Sequence, residues 1–87
     1  MNQYEFHYDS GHGWLKVEKI ELTLLGIAAE ISGCSYAKGE DVYLEEDCDA
    51  GIFDRAKKKV GDFKIKSIND GDNSIIREYA SYRGGIS

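Results

Sequence analysis

The sequence predicts a small α+β domain, an antiparallel sheet of about five strands with two helices packed on one face. Three observations carry that expectation. Short runs alternate apolar and polar residues with period two, at Tyr4-Glu5-Phe6-His7-Tyr8, Val42-Tyr43-Leu44-Glu45 and Phe63-Lys64-Ile65-Lys66. Two longer stretches carry apolar residues at helical spacing. Between them lie clusters of Gly, Asn and Asp, which must make every turn because the chain has no proline. At 87 residues and 41% apolar composition, residues 1–87 form a single globular domain with one core. A chain of this size buries only roughly 60–65% of its unfolded surface, so its margin of stability is thin.

Taken in order, Tyr4, Phe6 and Tyr8 define a first strand, and Asp9-Ser10-Gly11-His12-Gly13 a turn. Trp14-Leu15-Lys16-Val17 is a second strand, closing an N-terminal hairpin. Ile20, Leu22 and Leu24 alternate, but Ile20, Leu24, Ile27 and Ile31 step like one face of a helix. The longer pattern predicts a helix over about 18–30, weakened at Gly26 and ended by Gly33. Cys34-Ser35-Tyr36 and Val42-Tyr43-Leu44-Glu45 predict a hairpin around the five-residue loop 37–41, with Val42 and Leu44 facing the core and Tyr43 and Glu45 facing out. Asp47 or Asp49 is expected to cap a helix over 52–60, whose buried stripe is Ile52, Phe53, Ala56 and Val60. A strand follows over 63–66, then a loop over 69–73. Residues 74–82 fit neither period and read as irregular or extended, and 83–87 as a frayed end.

The formal charge is −5, which disfavours sequence-independent binding to nucleic acid. That charge is unevenly placed. Residues 30–54 hold eight carboxylates against one base, Lys38, whereas 55–66 hold six bases against one carboxylate, Asp62. Such segregation is either a solvated surface or a charged docking face. No run of 18 apolar residues is present and the first residues lack a basic, apolar leader, so neither a membrane partner nor secretion is expected, and the cytoplasm is the default location. In a reducing compartment Cys34 and Cys48 are expected as free thiols, although a disulfide between them is geometrically conceivable.

No catalytic, cofactor or metal motif emerges. A calcium loop begun at Asp47 puts Ile52 at its glycine position and Lys58 at its glutamate position; one begun at Asp70 puts Ile75 and Ser81 there. His7, His12, Cys34 and Cys48 lack the short pairs of a zinc site. Cys48 near a helix start could be activated as a nucleophile, but the carboxylates beside it oppose a thiolate. Gly11-His12-Gly13 lacks the lysine of a phosphate loop. Trp14 after its glycine turn reads as a lid on the core or, if exposed, as a partner's anchor.

Gly11-His12-Gly13-Trp14-Leu15, Leu25-Gly26-Ile27-Ala28, Ser35-Tyr36, Val42 to Ala50 (VYLEEDCDA) and Tyr82 together resemble a family of small, free-standing accessory proteins of bacteriophages, plasmids and bacterial accessory regions. The resemblance spans residues 9–82 and implies a mobile-element setting, with no catalytic residue to carry over. The expected function is therefore non-enzymatic protein binding, with the acidic segment 40–54 meeting a basic surface on a partner, as an inhibitor of a host nucleic-acid-binding complex would. Candidate contact residues are His12, Trp14, Tyr43, Glu45, Glu46, Asp47 and Asp49. Two rival classes are a nucleic-acid-binding module using the basic segment 55–66, and a small enzyme using the carboxylates and His12.

Overall fold

The computed structural model describes residues 3–83. Its strands are β1 (Gln3–Tyr8), β2 (Gly13–Glu18), β3 (Tyr36–Lys38), β4 (Asp41–Glu45), β5 (Lys64–Asn69) and β6 (Ala80–Ser81). Its helices are α1 (Lys19–Leu24) and α2 (Ala50–Lys58), with 3-10 turns at Ala28–Glu30 and Ile75–Glu78. One sheet runs in the order β5-β1-β2-β4-β3-β6. The fold is α+β. All neighbouring strands are antiparallel except β1 and β5, which are parallel with Tyr4 opposite Ile65. The sheet thus gains a sixth strand and one parallel pair over the expectation.

Alternation along the strands sorts residues to two faces. Tyr4, Leu15, Val17, Val42 and Leu44 pack with Leu22 of α1 and Phe53 of α2, forming the main core on the helical face. The Tyr4 ring meets Phe53 and Phe63 edge-on, with centroids 5.2 and 5.5 Å away. Its hydroxyl donates across the Glu21 carboxylate, 2.7 and 2.6 Å from the two oxygens, while Lys57 Nζ donates to the same group at 2.7 Å. An ion pair under the helices therefore joins α1, α2 and β1.

The helix expected over 18–30 ends at Leu24. Gly26 takes φ +74°, and the Gly26 and Ile27 N–H groups fold back onto Thr23 and Leu22 carbonyls at 3.0 Å each, a Schellman closure. Ile20 and Leu24, two of the four residues in the expected stripe, are consequently exposed, while Ile27 and Ile31 are buried as expected and Leu22 joins them. α2 begins and ends two residues before the expected range, and Val60 lies outside it, exposed. The β3–β4 connection is the two-residue turn Gly39-Glu40, not a five-residue loop: Lys38 pairs with Asp41, and Gly39 supplies the positive φ (60°) at the first turn position.

The opposite face is also covered. The turn Ile75–Glu78 lies over it, where Ile76 packs with Trp14 and Tyr43, flanked by Tyr36 and Tyr79. Tyr43 and Glu45, expected to face water, are only 8% and 9% exposed. Residues 74–82 are ordered through Ser74, β6 and Tyr82, whose hydroxyl donates to the Ala28 carbonyl at 2.8 Å. Of the end expected to fray, Arg83 is exposed and 84–87 lie outside the described residues.

Candidate functional site

The β1–β2 turn is organised by Asp9. Its Oδ1 accepts from the Gly11 and His12 N–H groups at 2.9 and 3.0 Å, and its Oδ2 from the Ser74 N–H at 2.8 Å. Arg77 completes the set, donating from Nε to Oδ2 at 2.6 Å and from Nη2 to Oδ1 at 2.8 Å. The guanidinium and these N–H groups together hold the Asp9 carboxyl well below the usual carboxylate range. Arg77 also lies over the Trp14 ring, 5.5 Å from its centroid. Gly13 is required at the end of this turn, since a Cβ there would sit 2.3 Å from Phe6 Cζ.

A second network ties the 32–35 turn to the start of α2. Asp49, 2% exposed, accepts at Oδ2 from Ser32 N (3.1 Å), Ser32 Oγ (2.8 Å) and Ser35 Oγ (2.6 Å). Ser35 Oγ in turn accepts from the Glu45 N–H at 3.0 Å. Asp49 precedes α2 but its side chain makes no capping bond. The expected side-chain cap is thus replaced by a cross-link to a different turn, because buried serine donors are better placed than the helix N–H groups.

Between these networks lies an open cleft of about 400 Å³. Trp14, Tyr36 and Arg77 form one part of its lining, and His12, Glu45 and Asp47 another, with Cys34 and Cys48 beside them. His12 Nδ1 is 3.3 Å from Glu45 Oε2, and Glu45 Oε1 accepts from the Asp47 N–H at 2.7 Å. The indole N–H of Trp14 has no hydrogen-bond partner among the described residues.

The seven candidate residues divide. His12 and Asp47 come together in the cleft lining with Glu45 and Trp14, but Trp14 is only 1% exposed and so belongs to the core rather than forming the exposed anchor. Glu46 is exposed, and its backbone N–H donates to the Gly13 carbonyl at 3.0 Å. Tyr43 and Asp49 do not reach this surface: Tyr43 packs against Tyr79 with centroids 5.3 Å apart, and Asp49 is enclosed by the serines. Arg77 and Tyr36 belong to the site without having been singled out by sequence. Arg77 stands in a stretch of mixed periodicity, and only its distant partner Asp9 gives it a place.

Chemically the arrangement offers charge and aromatic surface. His7 and Ser74 both bond Asp70, at 3.1 and 2.6 Å, but Ser74 Oγ also accepts from the Ile76 N–H at 3.2 Å, which is the bonding of a turn cap. The His–Ser bond of a nucleophile relay is not among these contacts. Among the described residues, no group of three His, Cys, Asp or Glu side chains is placed to hold a metal ion, and no helix is long and apolar enough to cross a membrane. No family model matches this chain, and no curated protein or solved structure matches it.

Proposed function

We propose that the chain acts by binding a protein partner through the cleft beside Trp14, and that the partner presents a basic segment there. The observation behind this reading is the contrast between Asp47, exposed in the cleft lining, with Glu46 exposed beside it in the chain, and the polar groups next to them, which are already engaged. Asp9, Asp49, Ser35 and Glu45 are all buried in internal hydrogen bonds. The exposed Asp47 carboxylate, sharing the cleft with half-buried Tyr36, gives a partner charge for steering and an aromatic surface for holding. The resemblance to mobile-element accessory proteins fits such a role, including inhibition of a host nucleic-acid-binding complex, and the reading is non-enzymatic.

The nucleic-acid reading has less support from the bases of 55–66. Lys57 is drawn into Glu21, and Lys58 lies 3.2 Å from Asp54. Arg55, Lys59, Lys64 and Lys66 remain exposed.

The chain's single tryptophan is buried in the cleft wall beneath Arg77, so its fluorescence reports rearrangement of that wall when the cleft is occupied. Arginine- and lysine-rich peptides are expected to shift it, and the Glu46→Lys/Asp47→Lys variant to lose the response. Salt-sensitive retention on duplex DNA that survives this variant and disappears in Lys64→Glu/Lys66→Glu would replace the proposal with the nucleic-acid reading.

A further inference from the structure

We infer that Cys34 and Cys48 form a reversible dithiol–disulfide site that exchanges with small disulfides of the oxidised-glutathione class. This goes beyond the docking reading and does not depend on it. Both thiols are free and exposed, and both line the same cleft. Their separation is fixed by the residues that follow each of them, because Ser35 Oγ donates to Asp49 Oδ2 at 2.6 Å in the buried layer beneath. Ser32 bonds the same oxygen from its N–H and its hydroxyl, and that hydroxyl accepts from the Cys34 N–H at 3.1 Å. On the other side the Cys48 N–H donates to the Glu45 carbonyl at 3.2 Å. Two turns from different parts of the chain are thereby clamped with one thiol on each, both at the cleft.

The clamp also sets the order of events. Neighbouring Cys34, then burial, then the charges of Glu45 and Asp49 push the Cys48 thiol up to about 12. A thiolate on Cys48 would stand beside Asp47 and Asp49, its chain neighbours, and Glu45, whose carbonyl its N–H bonds, so Cys34 supplies the attacking sulfur. The Cys34 thiolate displaces one thiolate from the small disulfide, leaving a mixed disulfide on Cys34. Cys48 then gives its proton to water and its sulfur attacks that of Cys34, expelling the second small thiolate. Two protein thiols are oxidised by two electrons, and one small disulfide is reduced to two thiols. The new bond closes the ring 34–48 around the β3–β4 hairpin, whose strands are already paired.

The reduced chain is incubated with excess oxidised glutathione at mildly alkaline pH and followed by intact mass and thiol titration. The wild type should lose both thiols and two hydrogens and retain no glutathione. Its thermal midpoint should rise by roughly 10 °C, and dithiothreitol should reverse both changes. Cys48→Ser should stop at a stable mixed disulfide, and Cys34→Ser should react more slowly than Cys48→Ser. The site is refuted if the wild type retains glutathione on either cysteine or links into dimers. It is equally refuted if both thiols survive treatment that modifies the unfolded chain. Equal rates for the two single variants would overturn Cys34 as the attacking sulfur.

Discussion

Arg77 grips Asp9 through two hydrogen bonds of 2.6 and 2.8 Å, joining residues 68 positions apart in the chain. The Asp9 side chain is fully shielded from solvent, and the guanidinium covers Trp14. One contact thus fixes the β1–β2 turn, seats the Ile75–Glu78 turn and closes one wall of the cleft.

Acid should reveal this contact first. The folded-state pKa of Asp9 lies below its unfolded value of about 3.9. Its contribution to stability is therefore fully present above that value and is lost as pH falls towards the folded-state pKa. Thermal midpoints of the wild type should fall as pH drops below about 4. Asp9→Asn should be less stable at neutral pH and show a shallower acid slope. Identical slopes in the two proteins would remove Asp9 from this role.

Alkali should act through tyrosine. Burial, then the neighbouring Tyr79 and Asp41, push the Tyr43 phenol up to about 12. Tyr4 and Tyr82 are raised as well, each chiefly by burial. A raised folded-state pKa gives stability that is complete below the unfolded value of about 10 and lost as pH rises through the folded one. Phenolate absorbance should show these tyrosines ionising late, together with loss of structure between about pH 10 and 12. Smooth titration of all six tyrosines with the fold intact would contradict the burial.

Ser35→Ala should cost about 1–3 kcal/mol, since it strips a donor from Asp49 and an acceptor from the Glu45 N–H within a buried site. The urea midpoint measures this, and Asp49→Asn combined with Ser35→Ala should be less damaging than the sum of the singles. Strict additivity would mean that the two side chains do not act as a unit.

Gly13→Ala should destabilise by about 1–3 kcal/mol, because the new methyl overlaps the Phe6 ring. Adding Phe6→Leu should recover part of the loss. A neutral Gly13→Ala would show that the turn can move aside.

Tyr43→Ala cannot separate binding from folding. Emptying a buried aromatic site costs about 3 kcal/mol or more, so its effect is expected in stability before any effect on a partner. Glu46 and Asp47, both exposed, are the positions at which binding can change while the urea midpoint stays put.

Much of the sheet was legible because alternation is a local property. Tyr4-Phe6, Leu15-Val17 and Val42-Leu44 face one core, as their periods require. What escaped was non-local. Tyr43 and Glu45 alternate like outward residues, and only the distant turn at Ile76 makes them interior. The stripe Ile20-Leu24-Ile27-Ile31 reads as one helix face until Gly26 turns the chain at positive φ. In the cleft, His12 and Trp14 stand out in the sequence as unusual residues beside glycines. Asp49 looked like a helix cap because its place before α2 is right, and its serine partners could not be seen from spacing.

The late position of the Ile75–Glu78 turn has a consequence for biosynthesis. Every residue of the Trp14–Tyr43 layer except Ile76 and Tyr79 belongs to strands made before α2. A ribosome-bound chain can therefore pair β1, β2, β3 and β4 and assemble much of the helical core while its second aromatic face is still wet. That interval is when aggregation and chaperone capture compete with folding, and it closes when Arg77 emerges and finds Asp9.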